Sequence, residues 1–144
     1  MEGTRRLLWW QAMAGGLGGW YGFYHLEQGS SFNGHPYPSP EQLRTHHAFW
    51  HERDRFRLDM GRANGLTDGR AIATPGEGRA VFYAEGADAL SMDLSYFADP
   101  RSAVAVDTAW EYKKVDVGPL DPIDVTWEAP YETDWAIAVG GFDR

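Results

Sequence analysis

The chain has 144 residues and a formal net charge of -8, with 43% hydrophobic and 15% aromatic residues and no cysteine. That length holds one ordinary domain or two small ones and falls far short of the ~250 residues of a complete (β/α)₈ barrel. The apolar content excludes general disorder, the charge argues against a nucleic-acid partner, which needs basic patches, and the missing cysteines exclude disulfides, thiol nucleophiles and thiolate metal sites.

Residues 4–14 are good helix formers without Pro or Gly, and Gly15-Gly16 ends the run as a C-cap would, so a short helix is predicted. Arg5-Arg6 ahead of Leu7, Leu8, Trp9 and Trp10 superficially suits an export leader. Gln11 breaks that short apolar run and Glu2 adds an acid, so the segment is read as structure, and the compartment is left open with the cytoplasm favoured. Nothing approaches the ~18 apolar residues of a membrane span, and no membrane partner is expected. Leu7, Leu8, Trp9, Trp10 and Met13 need cover, by self-association or by folding onto the rest of the chain. Residues 17–24 set aromatic and apolar side chains between glycines, which suits a buried strand. Residues 25–38, with Asn33-Gly34 and two prolines, are expected to form a long loop without regular structure. Ser39-Pro40-Glu41-Gln42 then combines an N-cap, a proline at the first helical position and a capping box, which starts a second helix. Leu43, His46, Phe49, Trp50, Phe56 and Met60 form its predicted apolar face, and an end is expected between Gly61 and Gly65.

After Thr67-Asp68-Gly69 the hydrophobic period changes to two. Residues 80–84, 90–94, 104–106, 123–127 and 135–139 read as strands, separated by turn signals such as Asp99-Pro100 and Gly118-Pro119. The expected class is α+β: two N-terminal helices and a short strand over residues 1–66, followed by an antiparallel β-sandwich over residues 67–144.

The run from Arg5 to Phe23, then His35-Pro36-Tyr37-Pro38-Ser39-Pro40-Glu41, Phe56-Arg57-Leu58-Asp59-Met60, Val81-Phe82-Tyr83, Met92-Asp93-Leu94-Ser95 and the terminal Ala129-Pro130-Tyr131-Glu132-Thr133-Asp134-Trp135-Ala136-Ile137-Ala138-Val139 resemble the C-terminal part of glycoside-hydrolase-like proteins. Those carry a TIM-barrel catalytic domain followed by a β-sandwich labelled collagen-binding. The resemblance implies that residues 5–15 are the last-but-one barrel helix, 17–23 the eighth strand and 39–60 the final helix, with the sandwich appended. Glycosidases need two carboxylates flanking the scissile bond. By the resemblance these lie on the fourth and seventh barrel strands, which these 144 residues do not include. No catalytic residue is therefore assigned, and an accessory role beside a barrel domain, in cis or in trans, is expected. The alternative is a stand-alone carbohydrate- or polymer-binding sandwich.

Because the active face of a barrel lies at the C-terminal ends of its strands, the resemblance places Trp20, Tyr21, His25, Asn33, His35 and Tyr37 near a sugar cleft. There aromatic faces would stack on sugar C–H groups and polar side chains would bond hydroxyls. Tyr24, Glu27 and Phe32 belong to the same stretch. His47 and His51 lie four apart on the second helix, a spacing that can share zinc. The Glu of a metalloprotease signature and a third ligand are both missing, so neither metal nor other cofactor is expected. Asp116, Asp121, Asp124, Glu128, Glu132 and Asp134 are scattered and read as a solvated face. Alternation points Trp127 and Trp135 inward, leaving Trp110 and Tyr131 as candidate surface aromatics.

Overall fold

A computed structural model of the chain describes residues 2–15, 31–32, 35–36, 40–51, 60–74 and 78–140. The helices α1 (Glu2–Met13) and α2 (Pro40–His51) flank a small ribbon of β1 (Ser31–Phe32) and β2 (His35–Pro36) in chain order. Then come β3 (Gly61–Arg62), a 3₁₀ turn (Asn64–Leu66), β4 (Arg70–Thr74), β5 (Arg79–Asp93), β6 (Arg101–Asp107), β7 (Lys114–Leu120) and β8 (Asp124–Val139). These last six strands make one antiparallel sheet in the order β3-β4-β5-β8-β6-β7. The class is α+β, as the sequence predicts.

Period-two alternation explains how the sheet is covered on both faces. Ile72, Val81, Tyr83, Val106, Ala136 and Ala138 share one core with Trp9, Ala12 and Met13 of α1 and with Phe49 and Trp50 of α2. Central strand β8 offers Ala136 and Ala138 to this core, which leaves room for the indoles. Ala71, Ala80, Phe82, Ala105, Trp135, Ile137 and Val139 face the other way, into a second core. That core is closed by the far ends of the same long strands, where Leu90, Met92, Val125 and Trp127 pack on it, together with Val115, Val117 and Leu120 of β7.

The layering follows from a bend. β5 and β8 pair from Ala80↔Val139 to Asp93↔Asp124, but the register slips on either side of Ala87. Gly86 sits at φ 53° there. While β5 goes from Ala87 to Ala89, β8 runs from Thr133 to Glu128, so the intervening β8 residues are pushed out of the ladder. Such bulges kink a strand and increase its twist.

Several boundaries differ from the sequence expectation. Residues 80–84 and 90–94 are one strand, as are 123–127 and 135–139, because the bulge bends them without breaking the ladder. The Gly118-Pro119 turn signal lies inside β7 and coincides with a register shift at Ala103/Val104, where Gly118 has φ 80°. Ile123 is exposed instead of facing inward. The second helix ends before Met60, since Gly61 and Arg62 pair with Ala73 and Ile72. Its buried face is Gln42, Thr45, Phe49 and Trp50, and Leu43 is outside. Gln42 and Thr45 turn inward because their side chains donate to the carbonyls of Ala109 (3.2 Å) and Trp110 (2.5 Å). The loop predicted over 25–38 contains an antiparallel pairing, Ser31↔Pro36 and Phe32↔His35, around the tight-turn sequence Asn33-Gly34. The strand predicted at 17–24 lies outside the described residues.

Candidate functional site

The densest polar constellation lies where α1 meets the sheet. Arg5 and Arg6, in the first half of an amphipathic helix, both reach Asp134 of β8. Arg5 Nη2 donates to Oδ2 at 2.5 Å, and Arg6 contacts both carboxylate oxygens at 2.8 Å. The Gly86 N–H, presented by the bulge, adds a fourth donor at 2.8 Å. Burial alone would raise the Asp134 pKa. The hydrogen bonds from Arg6 and Arg5, then that from Gly86, outweigh it and hold the group at about 2. Asp134 is thus buried at 2% exposure, a correction to the solvated-face expectation. Beneath it Trp9 stacks on Tyr83 with ring centroids 5.5 Å apart and planes 6° from parallel.

Next to this clamp opens a cleft of about 430 Å³, walled by Asn64, Asp68, Gly69 and Arg70 on one side and Tyr83, Ala84 and Glu85 on the other. Trp10 connects it to α1. Its indole N–H donates to Glu85 Oε1, and the Arg70 guanidinium lies over its ring, 5.1 Å from the centroid. A second cleft of about 360 Å³ lies on the far side of Asp68, between Thr67 and the Ser91–Thr126 rung of the β5/β8 ladder. Asp68 and Glu85 share the first cleft, but it is open to solvent. The carboxyls of Asp134 and Asp93 are both held low, Asp93 by Ser95 hydroxyl and backbone donors. A glycosidase general acid needs the opposite displacement.

The expelled part of β8 supplies a third feature. Tyr131 is 51% exposed and Trp110 68% exposed, in line with their reading as candidate surface aromatics. The Tyr131 hydroxyl donates to Asp107 at 3.0 Å, and Asp107 also accepts from Thr133 and the Ala109 N–H. Burial, then this hydrogen bond, pushes the phenol pKa up. Trp135 is fully buried, with half-buried Trp127 packed edge-on against it at 5.2 Å.

Of the residues expected to line a sugar cleft, Trp20, Tyr21, His25, Asn33 and Tyr37 lie outside the described residues, as do Tyr24 and Glu27. His35 is placed in β2, opposite Phe32. His46 packs edge-on against Trp9 at 5.0 Å, while His47 and His51 are exposed and stack on each other at 5.5 Å. Among the described residues no three His, Cys, Asp or Glu side chains come together as a metal site. No described helix is long and apolar enough to cross a membrane.

Sequence reading missed the Arg5, Arg6, Asp134, Glu85 and Arg70 group. One signal was present: an aspartate set directly against the unbroken run Trp135-Ala136-Ile137-Ala138-Val139 needs a cationic partner if buried. Nothing local says that the partner lies at the other end of the chain.

No protein-family model matches the chain, and no curated protein matches its sequence. Its fold does match solved structures. One is a glycoside hydrolase family 5 protein from Bacteroides vulgatus ATCC 8482, with a TM-score of 0.72 and 20% identity over 98% of this chain and 37% of that one. Another is described as a glycoside hydrolase, with a TM-score of 0.63 and 18% identity over the same shares. The chain thus spans 37% of the length of these proteins, and what it shares with them at such identity is the fold of a part of a glycoside hydrolase.

Proposed function

We propose that the chain is the C-terminal accessory region of a glycoside-hydrolase-like protein, without hydrolytic activity of its own. In this reading α1 and α2 belong to a barrel wall and the sheet braces them. The observation that carries it is the two-sided character of the helices. Trp9 is fully buried against the sheet and Arg5 is clamped to Asp134, yet Leu7 (45%), Trp10 (38%) and Leu43 (37%) remain exposed. Large apolar side chains left outside a well-made core are what a further packing layer would cover. Coverage of little more than a third of the matched glycoside hydrolases supports the same reading.

The test is direct. Purified chain incubated with aryl glycosides is expected to give no turnover above buffer. Turnover that disappears in Glu85→Gln or Asp68→Asn would assign a hydrolytic centre to the chain and overturn the proposal.

A second reading, a carbohydrate- or polymer-binding module, is favoured by the exposure of Trp110 and Tyr131. Retention on an insoluble polysaccharide, lost in Trp110→Ala or Tyr131→Ala, is its expected signature.

A further inference from the structure

We propose that the cleft between the 3₁₀–β4 segment and β5 binds one uncharged polyhydroxylated ring, of the size of a monosaccharide. The proposal shares its ligand class with the second reading above but places it at a different site, and it is independent of the accessory role.

The volume, about 430 Å³, lies within the range of small-molecule sites. The walls supply donors and acceptors in close alternation, which is what a ring of hydroxyls requires. Asn64 is fixed through its Oδ1, which accepts the Ala71 N–H at 3.0 Å, leaving its amide N–H groups as donors. Asp68 is anchored by the Ser91 N–H at 3.3 Å. Glu85 is held in place by the Trp10 indole and lies 3.6 Å from Arg6 Nε. Arg70 is positioned by its stacking on Trp10. These side chains are tethered before a ligand arrives, so little ordering entropy is lost on binding.

Tyr83 borders the cleft with the backbone that Gly69 packs against, while its side chain is buried in the core beneath α1, stacked on Trp9. Gly69 keeps that wall closed, because a Cβ there would lie 2.4 Å from the Tyr83 carbonyl oxygen.

The lining also discriminates against other ligands. Two carboxylates beside a single guanidinium disfavour phosphates and other anions. The polar walls give an apolar ligand nothing to bury against. A neutral ring can accept from Arg70 and Asn64 and donate to Asp68 and Glu85 together.

The experiment is a calorimetric or NMR titration of the whole chain with glucose, galactose, mannose, xylose and N-acetylglucosamine, with inorganic phosphate as the anionic probe. Saturable binding of at least one sugar, with Kd of about 1 mM, is expected, and none of phosphate. Glu85→Gln and Arg70→Gln should each weaken it by about tenfold while the circular dichroism spectrum and Tm stay unchanged. Because Glu85 and Arg70 lie at the surface end of the cleft, these variants should fold, and Asp68→Asn gives a further readout. No saturable sugar binding, or preferential phosphate binding, overturns the proposal. Sugar binding lost in Trp110→Ala but intact in Glu85→Gln also overturns it and supports the other aromatic surface. Neither result bears on the aryl-glycoside test of the accessory reading.

Discussion

Asp134 keeps its charge at 2% exposure because four donors converge on it, three of them from the two guanidinium groups of Arg5 and Arg6. Such a pair is a weak net stabiliser against a well-packed apolar substitute, but removing one partner strands the other. Asp134→Asn leaves Arg5 buried without its counter-charge and is expected to destabilise the chain by about 3 kcal/mol at neutral pH. The pH dependence follows from the depressed pKa, about 2 in the folded chain against an ordinary 3.8. Folding therefore favours the ionised form. This contribution, about 2 kcal/mol, is complete above the unfolded value and is lost as pH falls through the folded one. Urea melts of the wild type should lose that much between about pH 5 and pH 2, and those of Asp134→Asn should not. Equal pH slopes for the two proteins would remove the clamp from the stability account. At this scale alternation showed Trp135 as core, whereas Tyr131, which shares its parity, is turned out by the bulge and Trp110 lies outside the strands. It misplaced Asp134, because an acid at the edge of an apolar run is classed by its charge unless its partners are known.

At the scale of elements, the 3₁₀–β4 segment is held against β5 by the absence of a side chain at one position. A Cβ on Gly69 would meet the Tyr83 carbonyl oxygen at 2.4 Å and its carbon at 3.2 Å, both in the backbone of a central strand that cannot yield. Gly69→Ala is expected to destabilise by about 1–3 kcal/mol. Gly65→Ala, in the same segment with nothing within 4 Å of its Cβ, should stay within about 0.5 kcal/mol. Comparable thermal denaturation midpoints for the two variants would contradict the close approach. The start of α2 was legible because Ser39-Pro40-Glu41-Gln42 carries its own capping chemistry. β4 and β7 were not. Arg70–Thr74 has only Ala, Ile and Thr to mark it, and Lys114–Leu120 contains the Gly-Pro pair that locally signals a turn. Both become strands because a neighbouring strand supplies the ladder.

For the molecule as a whole, the question is what covers the outer side of the helices. Trp9, Ala12 and Met13 fold onto the sheet and Leu8 is buried as well, so most of the apolar N-terminal surface is covered within the chain itself. Leu7 and Leu43 are not covered, and Trp10 is covered only in part, by Arg70 and Glu85. Isolated chain is expected to self-associate with rising concentration in light scattering, and Leu7→Lys with Leu43→Lys should reduce that association while Trp110→Ala does not. A strictly monomeric mass across the concentration range would show that this surface needs no partner. Composition, capping and period by themselves determined the class of the protein, the order of helices before strands and which aromatics are buried in the sheet, since these depend on local backbone chemistry and on the side of a strand a residue occupies. Only the tertiary structure decided that the long strands bend back on themselves, that Arg5 and Arg6 meet Asp134 and that Arg70, Tyr83 and Glu85 wall one cleft, because each joins residues far apart in sequence, through contacts that no local pattern encodes.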